Sequence, residues 1–195
     1  KKEQGTIDHS KILDALECAV KYKRYEMFEF IVEHTNYNID YKNPYTLLMR
    51  IMSDSDFSVD GILYVLDRTR DINTLNNDSG ENILNNLVYK CCDDREKYRP
   101  LMIECLKRGA SPVIGEFENW SLNLVIRLGS CIYEDGEELC SFEVLKLMIE
   151  HCHEDISFEA LRIAIYENNY DFVEYLINHV KDINQVDING FTLLQ

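Results

Sequence analysis

Two ten-residue segments far apart in the chain, Tyr64-Val-Leu-Asp-Arg-Thr-Arg-Asp-Ile-Asn73 and Tyr175-Leu-Ile-Asn-His-Val-Lys-Asp-Ile-Asn184, are identical at four positions and conservatively exchanged at four more. Self-similarity of this kind constrains a fold more than any local propensity, because each copy must take the same structure and bury its apolar face on a neighbour. Each decamer is followed by a short polar stretch with a glycine, Ser79-Gly80 or Asn189-Gly190, and then by a leucine-bearing start, Asn82-Ile83-Leu84 or Thr192-Leu193-Leu194. The order is helix end, extended turn, next helix.

The same cadence recurs once insertions are allowed. Helix ends appear as Phe30-Ile31-Val32-Glu33-His34, Cys105-Leu106-Lys107-Arg108-Gly109-Ala110 and Leu147-Met148-Ile149-Glu150-His151. Helix starts appear at Leu16, Leu48, Leu84, Leu122, Leu161 and Leu194, separated by 32, 36, 38, 39 and 33 residues. The pattern predicts an all-α solenoid of five stacked helix pairs and the opening of a sixth. It forms a single array over residues 1–195, with approximate units 10–42, 43–78, 79–116, 117–155 and 156–188 and a partial unit 189–195. Apolar stripes such as Met27, Phe28, Phe30, Ile31 or Phe172, Val173, Leu176, Ile177 are too wide for one pair to bury, so stacking must supply the core. Asp8 or Ser10 before Ile12, and Ser157 before Phe158, are suited to cap helices, while Gly80 and Gly190 supply the positive φ of tight turns.

These residues resemble the ankyrin repeat, whose unit of about 33 residues runs through a helix start, a second helix, Gly-Ala and an Asp-x-Asn-x-x-Asp-x-x-Gly hairpin. The best match is Ala160 to Leu194, where Asp182-Ile-Asn184-Gln-Val-Asp187-Ile-Asn-Gly190-Phe-Thr192-Leu-Leu194 follows the hairpin pattern; Asn38-Ile-Asp40 to Leu48 is a second match, and Gly109-Ala110 keeps the dipeptide. No helix start keeps the family's full Thr-Pro-Leu-His. From helix start to the tyrosine-equivalent of the second helix is 14 residues in the first and fifth units but 16, 20 and 25 in the middle three, which places extra residues between the helices of those pairs. The connection after the fourth unit is five residues short, which predicts a missing hairpin finger there. Irregular repeats rich in Asn, Ile, Asp and Tyr are similar in style to those of poxvirus ankyrin proteins, a resemblance that implies host-factor capture and recruitment of a ubiquitin ligase. Insect and other AT-rich genomes give a similar composition, and no F-box-like tail is present. The start without Met and the stop inside a unit are read as those of a segment of something longer.

Twenty Lys and Arg against 35 Asp and Glu leave a formal charge of −15, which disfavours nucleic acid and anionic membranes, since both are held through accumulated cations. No apolar run reaches the roughly 18 to 20 residues of a membrane span. Seven cysteines, an odd number set mostly in apolar stretches, fit a reducing compartment, cytoplasmic or nuclear.

Chemistry is sparse. His151-Cys152-His153 with Cys140 upstream invites a metal reading, but neither it nor Cys91-Cys92 has the paired spacing of zinc ligands, and His34, His151 and His179 share one repeat position at the end of the second helix, where a donor suits exposed carbonyls. Phosphate-cradling glycine motifs are absent, and nothing singles out one thiol as a nucleophile. No metal, cofactor or enzymatic activity is expected within these residues.

Two surfaces remain. Tyr41, Tyr45, Trp120 and Phe191 fall in hairpins or just before helix starts, where they either pack between fingers or line the concave face through which the ankyrin resemblance implies partner binding. The interhelical insertions hold Asp54, Asp56 and Asp60; Asp93, Asp94 and Glu96 beside Arg95 and Lys97; and Glu134, Asp135, Glu137 and Glu138. Their net charge of −8 either keeps the array soluble or forms an acidic ridge that steers a partner with a basic surface. The expected function is a non-catalytic protein-interaction scaffold or adaptor. Two alternatives are a regulatory or substrate-recruiting insert of a larger enzyme or channel, and a stand-alone thiol or metal enzyme.

Overall fold

Among the described residues ten helices follow one another, and capping side chains explain where six of them begin. The computed structural model describes residues 8–41, 45–76, 80–113, 121–129, 142–152, 156, 158–186, 190 and 192. The helices are α1 (His9–Lys21), α2 (Tyr25–Thr35), α3 (Leu47–Ser53), α4 (Val59–Leu66), α5 (Ile83–Asp93), α6 (Arg95–Lys107), α7 (Ser121–Gly129), α8 (Phe142–Glu150), α9 (Phe158–Tyr166) and α10 (Tyr170–Leu176). The side chains of Asp8, Thr46, Ser58, Asn82, Asp94 and Asn169 each accept a bond from a backbone N–H of the first turn, which removes one of the orphan donors at that terminus. Ser157 lies outside the described residues. At the other end of α2, Asn36 takes the left-handed conformation at φ 50°, one of the few non-glycine residues able to do so.

Helices pair in sequence, α1 with α2 through α9 with α10, and the first helices pack in series, α1 on α3, α3 on α5, α5 on α7 and α7 on α9. The apolar position four residues after each helix-start leucine shows what the stacking does. Val20, Met52, Val88 and Ile126 are at most 1% exposed, each sealed between successive units. Ile165, at the same position in α9, is 44% exposed, because among the described residues no further pair packs against it. Full burial of a side chain of this size stabilises by about 1.5 to 3 kcal/mol. Stability therefore resides in the interfaces between units more than in any one unit.

Polar groups set the spacing at the finger side. In four turns the side chain of Asn38, Asp71, Ser111 or Asp182 accepts from the backbone N–H two residues on, at 3.2, 3.1, 3.3 and 2.9 Å. The third residue of a turn then reaches the next finger. Both carboxylate oxygens of Asp40 accept from Arg70 N at 3.2 Å, while Asn73 accepts from Ser111 N at 2.8 Å and donates to Gly109 O at 2.9 Å. Gly80, Gly109 and Gly190 all have positive φ, at 67°, 87° and 84°, so a side chain there would strain the turn. Asn82 adds a buried tie: it forms a reciprocal capping box with Asn85 and donates to Ser111 O at 2.9 Å.

Four departures from regular repeats were visible in the spacing, with different outcomes. Between α8 and α9 only residues 151–157 intervene, and of these Ile156 makes an isolated parallel bridge with Val180. In the second unit the extra residues, 54–58, do form a link between α3 and α4. In the third unit they do not: Asp94 alone separates α5 from α6, and the surplus lengthens both helices to 11 and 13 residues. Asp93 is thus the last residue of α5 and Glu96 lies in the first turn of α6, where its charge suits the helix dipole. A charged run of strong helix formers reads as a solvated loop, yet with Asp94 available as a cap it extends two helices instead. The insertion of the fourth unit, residues 130–141, lies outside the described residues.

On the second-helix side, α2 and α4 meet through one polar and aromatic cluster. Tyr25 and Tyr64 stack at 4.1 Å, Tyr64 Oη donates to Glu29 at 2.5 Å, and Arg68 donates to Glu29 at 2.7 Å while lying over the Tyr64 ring. The Tyr64 bond, followed by Arg68, holds the Glu29 carboxyl below its ordinary value despite some desolvation.

Two outcomes follow from these contacts. Asn82→Ala should lower the unfolding free energy by about 2 kcal/mol in urea titrations, since it deletes a cap and a buried bond together. Glu29→Gln should cost at most about 1 kcal/mol at pH 7, because the carboxylate is partly exposed and screened. A depressed carboxyl contributes above its unfolded pKa of about 4.3, and that contribution is lost as pH falls through the lower folded pKa. Urea titrations of the two proteins should therefore converge in acid.

Candidate functional site

The first helices α1, α3 and α5 lie side by side, and the polar residues opposite their apolar stripes face one surface. There Glu17, Tyr45, Arg50, Ser53, Asp54, Phe57, Glu81 and Asn86 line a pocket of about 400 Å³ drawn from three successive units. Arg50 is its central cation, donating to Glu17 Oε2 at 2.9 Å and to Asp14 Oδ1 at 3.2 Å. The Glu17 side chain is only 20% exposed, and burial pushes its carboxyl above the ordinary range despite the attraction of Arg50. On one wall Ser53 Oγ bridges Met49 O at 2.8 Å and Asn86 Oδ1 at 3.2 Å. Asp54 Oδ1 accepts from Asp56 N at 2.9 Å.

Of the aromatics expected on this face, Tyr45 lines the pocket and is 36% exposed. Tyr41 is equally exposed, but one face of its ring is stacked on His9 at 4.5 Å and its edge region meets the buried Tyr37. Tyr41 therefore packs on α1 and on its own turn, with the rest of its ring exposed. Trp120 and Phe191 lie outside the described residues. Glu17, Arg50, Glu81 and Asn86 were not singled out from the sequence. Their signal is a polar stripe opposite the buried leucines of three first helices, which takes on meaning only when the helices are aligned.

The acidic insertions are less uniform than their sequence sum. Asp93 and Asp94 are exposed, and Asp94 Oδ1 accepts from Lys97 N at 3.1 Å as the cap of α6. In the second unit, Asp56 pairs with Lys21 at 2.7 Å, Asp60 with Lys23 at 3.7 Å, and Lys97 donates to Ser55 O at 2.9 Å. Cations from the first and third units thus converge on the insertion of the second. Glu134, Asp135, Glu137 and Glu138 lie outside the described residues.

A larger groove of about 1150 Å³ lies between α2 and the first two fingers, with Phe28, Val32 and Ile39 among its apolar lining and Glu29, Glu33, Asp40 and Asp71 among its acids. Burial raises the Asp40 carboxyl above its usual range, opposed by the backbone bonds from the next finger.

The histidines have a structural occupation. His34, His151 and His179 each place Nδ1 at 2.8 to 2.9 Å from the carbonyl four residues earlier, those of Phe30, Leu147 and Tyr175. A carbonyl can only accept, so Nδ1 is the donor in each. Arg68 does the same for Tyr64 O at 2.9 Å, and Arg108 at the equivalent place in the third unit bonds Glu104 at 2.8 Å and Asp67 at 2.6 Å. Every unit thus carries a donor or cation at the end of its second helix, where carbonyls are left without intrahelical partners. Among the described residues no group of three His, Cys, Asp or Glu is arranged to hold a metal, and no helix is long and apolar enough to cross a membrane.

No family model matches the chain, and no curated protein matches it. Solved structures do. EF0377, described as an ankyrin repeat protein, aligns over 93% of this chain and 89% of its own at 21% identity, with a TM-score of 0.59. The chain has the ankyrin-repeat fold. A chain from the structure of the predatory endopeptidase Bd0816 of Bdellovibrio bacteriovorus in complex with immunity protein Bd3460 aligns over 92% of this chain and 88% of its own, at 15% identity and a TM-score of 0.53. At such identities the likeness is one of architecture. In this ankyrin array the 400 Å³ pocket lies where α1, α3 and α5 meet.

Cysteine reactivity separates packing from chemistry in the array. Cys18 is exposed, Cys91 and Cys105 are buried, and burial pushes the Cys105 thiol up to about 12. Iodoacetamide at pH 8, followed by peptide mass mapping, should alkylate Cys18 in the native protein and spare Cys91 and Cys105 until urea is added. Rapid labelling of Cys105 without urea would contradict its buried position.

Proposed function

We propose that this chain is a non-catalytic protein-interaction module that binds a protein partner with a basic surface along its first-helix and finger face. The observation that carries the proposal is the pocket shared by three consecutive units, acidic in its lining and edged by Tyr45. Its size suits a projecting side chain or short segment, and its polar groups are fixed by bonds between helices, so little ordering cost is left for binding. Tyr41, Tyr45, Trp120 and Phe191 are the proposed aromatic contacts, since tyrosine and tryptophan bury large area with few rotatable bonds. Asp93, Asp94, Glu134, Asp135, Glu137 and Glu138 are the proposed steering acids. The balancing of Asp56 and Asp60 by lysines moves the expected weight of that steering from the second unit to the third and fourth.

A protein complex among the structures of similar fold, that of Bd0816 with its immunity protein, is in keeping with an interaction role. So is the structural use of His34, His151 and His179, whose Nδ1 atoms bond backbone carbonyls of their own helices. Free thiols fit a reducing compartment, and we place the protein in the cytoplasm on that ground.

Capture experiments test the reading directly. The intact chain and a Tyr41→Ala, Tyr45→Ala, Trp120→Ala variant, matched for fold by circular dichroism, are used as baits for the same extract, and partners recovered by the first should fall at least fivefold with the second. Reversal of Asp93, Asp135 and Glu137 to Lys should slow association and flatten its salt dependence. Equal recovery of every partner by both baits would remove the groove from consideration.

A further inference from the structure

The pocket between α1, α3 and α5 has a composition that specifies more than a protein partner. Its lining contains three carboxylates, Glu17, Asp54 and Glu81, and one cation, Arg50. Arg50 is itself divided between Glu17 and Asp14, the latter a fourth carboxylate just outside the lining. Negative charge is therefore in excess over the whole cluster, and part of it is held at low exposure in Glu17. Aromatic surface is supplied by Tyr45 at the rim and by Phe57, which is almost fully buried. Asn86, already accepting from Ser53, adds an amide to the wall.

We propose that this pocket accepts one arginine side chain of the partner, its guanidinium against the carboxylates of Glu17, Asp54 and Glu81 and its flat face on Tyr45. The proposal rests on the partner-binding reading above and narrows it to the chemistry of one contact. Arginine fits better than lysine for physical reasons. Its planar donors can serve two carboxylates at once, it stacks on aromatic rings, and it is more weakly hydrated than an ammonium, so it enters a half-buried pocket at lower desolvation cost. A volume of about 400 Å³ admits one long side chain and its water but no secondary-structure element. The array already uses the same chemistry internally, where Arg68 lies 3.6 Å over the Tyr64 ring and donates to Glu29.

The test uses small probes in place of the partner. N-acetyl-arginine methylamide is titrated into the 15N-labelled chain at low salt, in parallel with the uncharged isostere N-acetyl-citrulline methylamide and with N-acetyl-lysine methylamide. Saturable shifts of the Tyr45, Ser53 and Asn86 signals are expected with the arginine probe, with at least about fivefold weaker binding of the other two, as loss of an ion pair or of its planar geometry entails. An Asp54→Asn, Glu81→Gln variant with an unchanged native spectrum should bind the arginine probe several-fold more weakly. Equal shifts from all three probes, tighter binding of lysine, or shifts confined to other residues would overturn the assignment. A protein partner that depends on the three aromatics but is indifferent to the Asp54→Asn, Glu81→Gln variant would overturn the arginine pocket and leave the groove reading standing.

Discussion

An amphipathic helix pair with apolar residues on both flanks can keep them from water only by having a like pair on each side, and the rest of this structure depends on that requirement. Val20, Met52, Val88 and Ile126 form the column in which it is met, one residue from each of four first helices, all sealed. Because packed interiors are dense, the column fixes the spacing and register of α1, α3, α5 and α7 together. The surface opposite the column is then also in register. Three first helices consequently bring Glu17, Arg50 and Asn86 into one pocket, although they are far apart in the chain. Nothing in their own helices would hold them together.

Polar groups refine what apolar stacking sets up. Four finger turns are closed by their own first side chain, and two of them are tied to the next finger by their third, Asp40 and Asn73. A carboxylate or amide used in this way satisfies backbone donors that would otherwise be orphaned at an interface. At the end of the second helix in four units a histidine or arginine meets an exposed carbonyl, and in the third Arg108 meets carboxylates instead. These contacts account for many of the residues that look chemically interesting in the sequence. His34, His151 and His179 are one structural solution repeated.

Much of the fold was legible because the repeat is a local code. The decamer ending in Asp71-Ile-Asn73 or Asp182-Ile-Asn184 encodes a helix end and a side-chain-closed turn within a few residues, so its meaning survives without knowledge of the neighbours. The caps at Asp8 and the glycines at Gly80 and Gly190 are of the same kind. The shortness of the connection before α9 was also readable, since it is a matter of residue count between two apolar stripes. The third insertion was not: Asp93, Arg95, Glu96 and Lys97 are equally compatible with a solvated loop and with helix, and the choice falls to whether two longer helices can pack, as α5 and α6 do. Of the expected site residues, Tyr45 is in the pocket and Tyr41 is shared with His9, while the carboxylates that give the pocket its character were invisible as a group.

The sequence by itself determined the unit, its order along the chain, and the turns and helix ends of each copy, because these rest on interactions among residues a few positions apart. Only the tertiary structure decided which charges meet. Lys21 and Lys23 neutralise Asp56 and Asp60 from one unit away, and Lys97 arrives from the other side, so a charge sum over the insertion misjudges its field. Electrostatic and pocket geometry depend on distances between units, and those distances are set by how apolar side chains interlock in the stack.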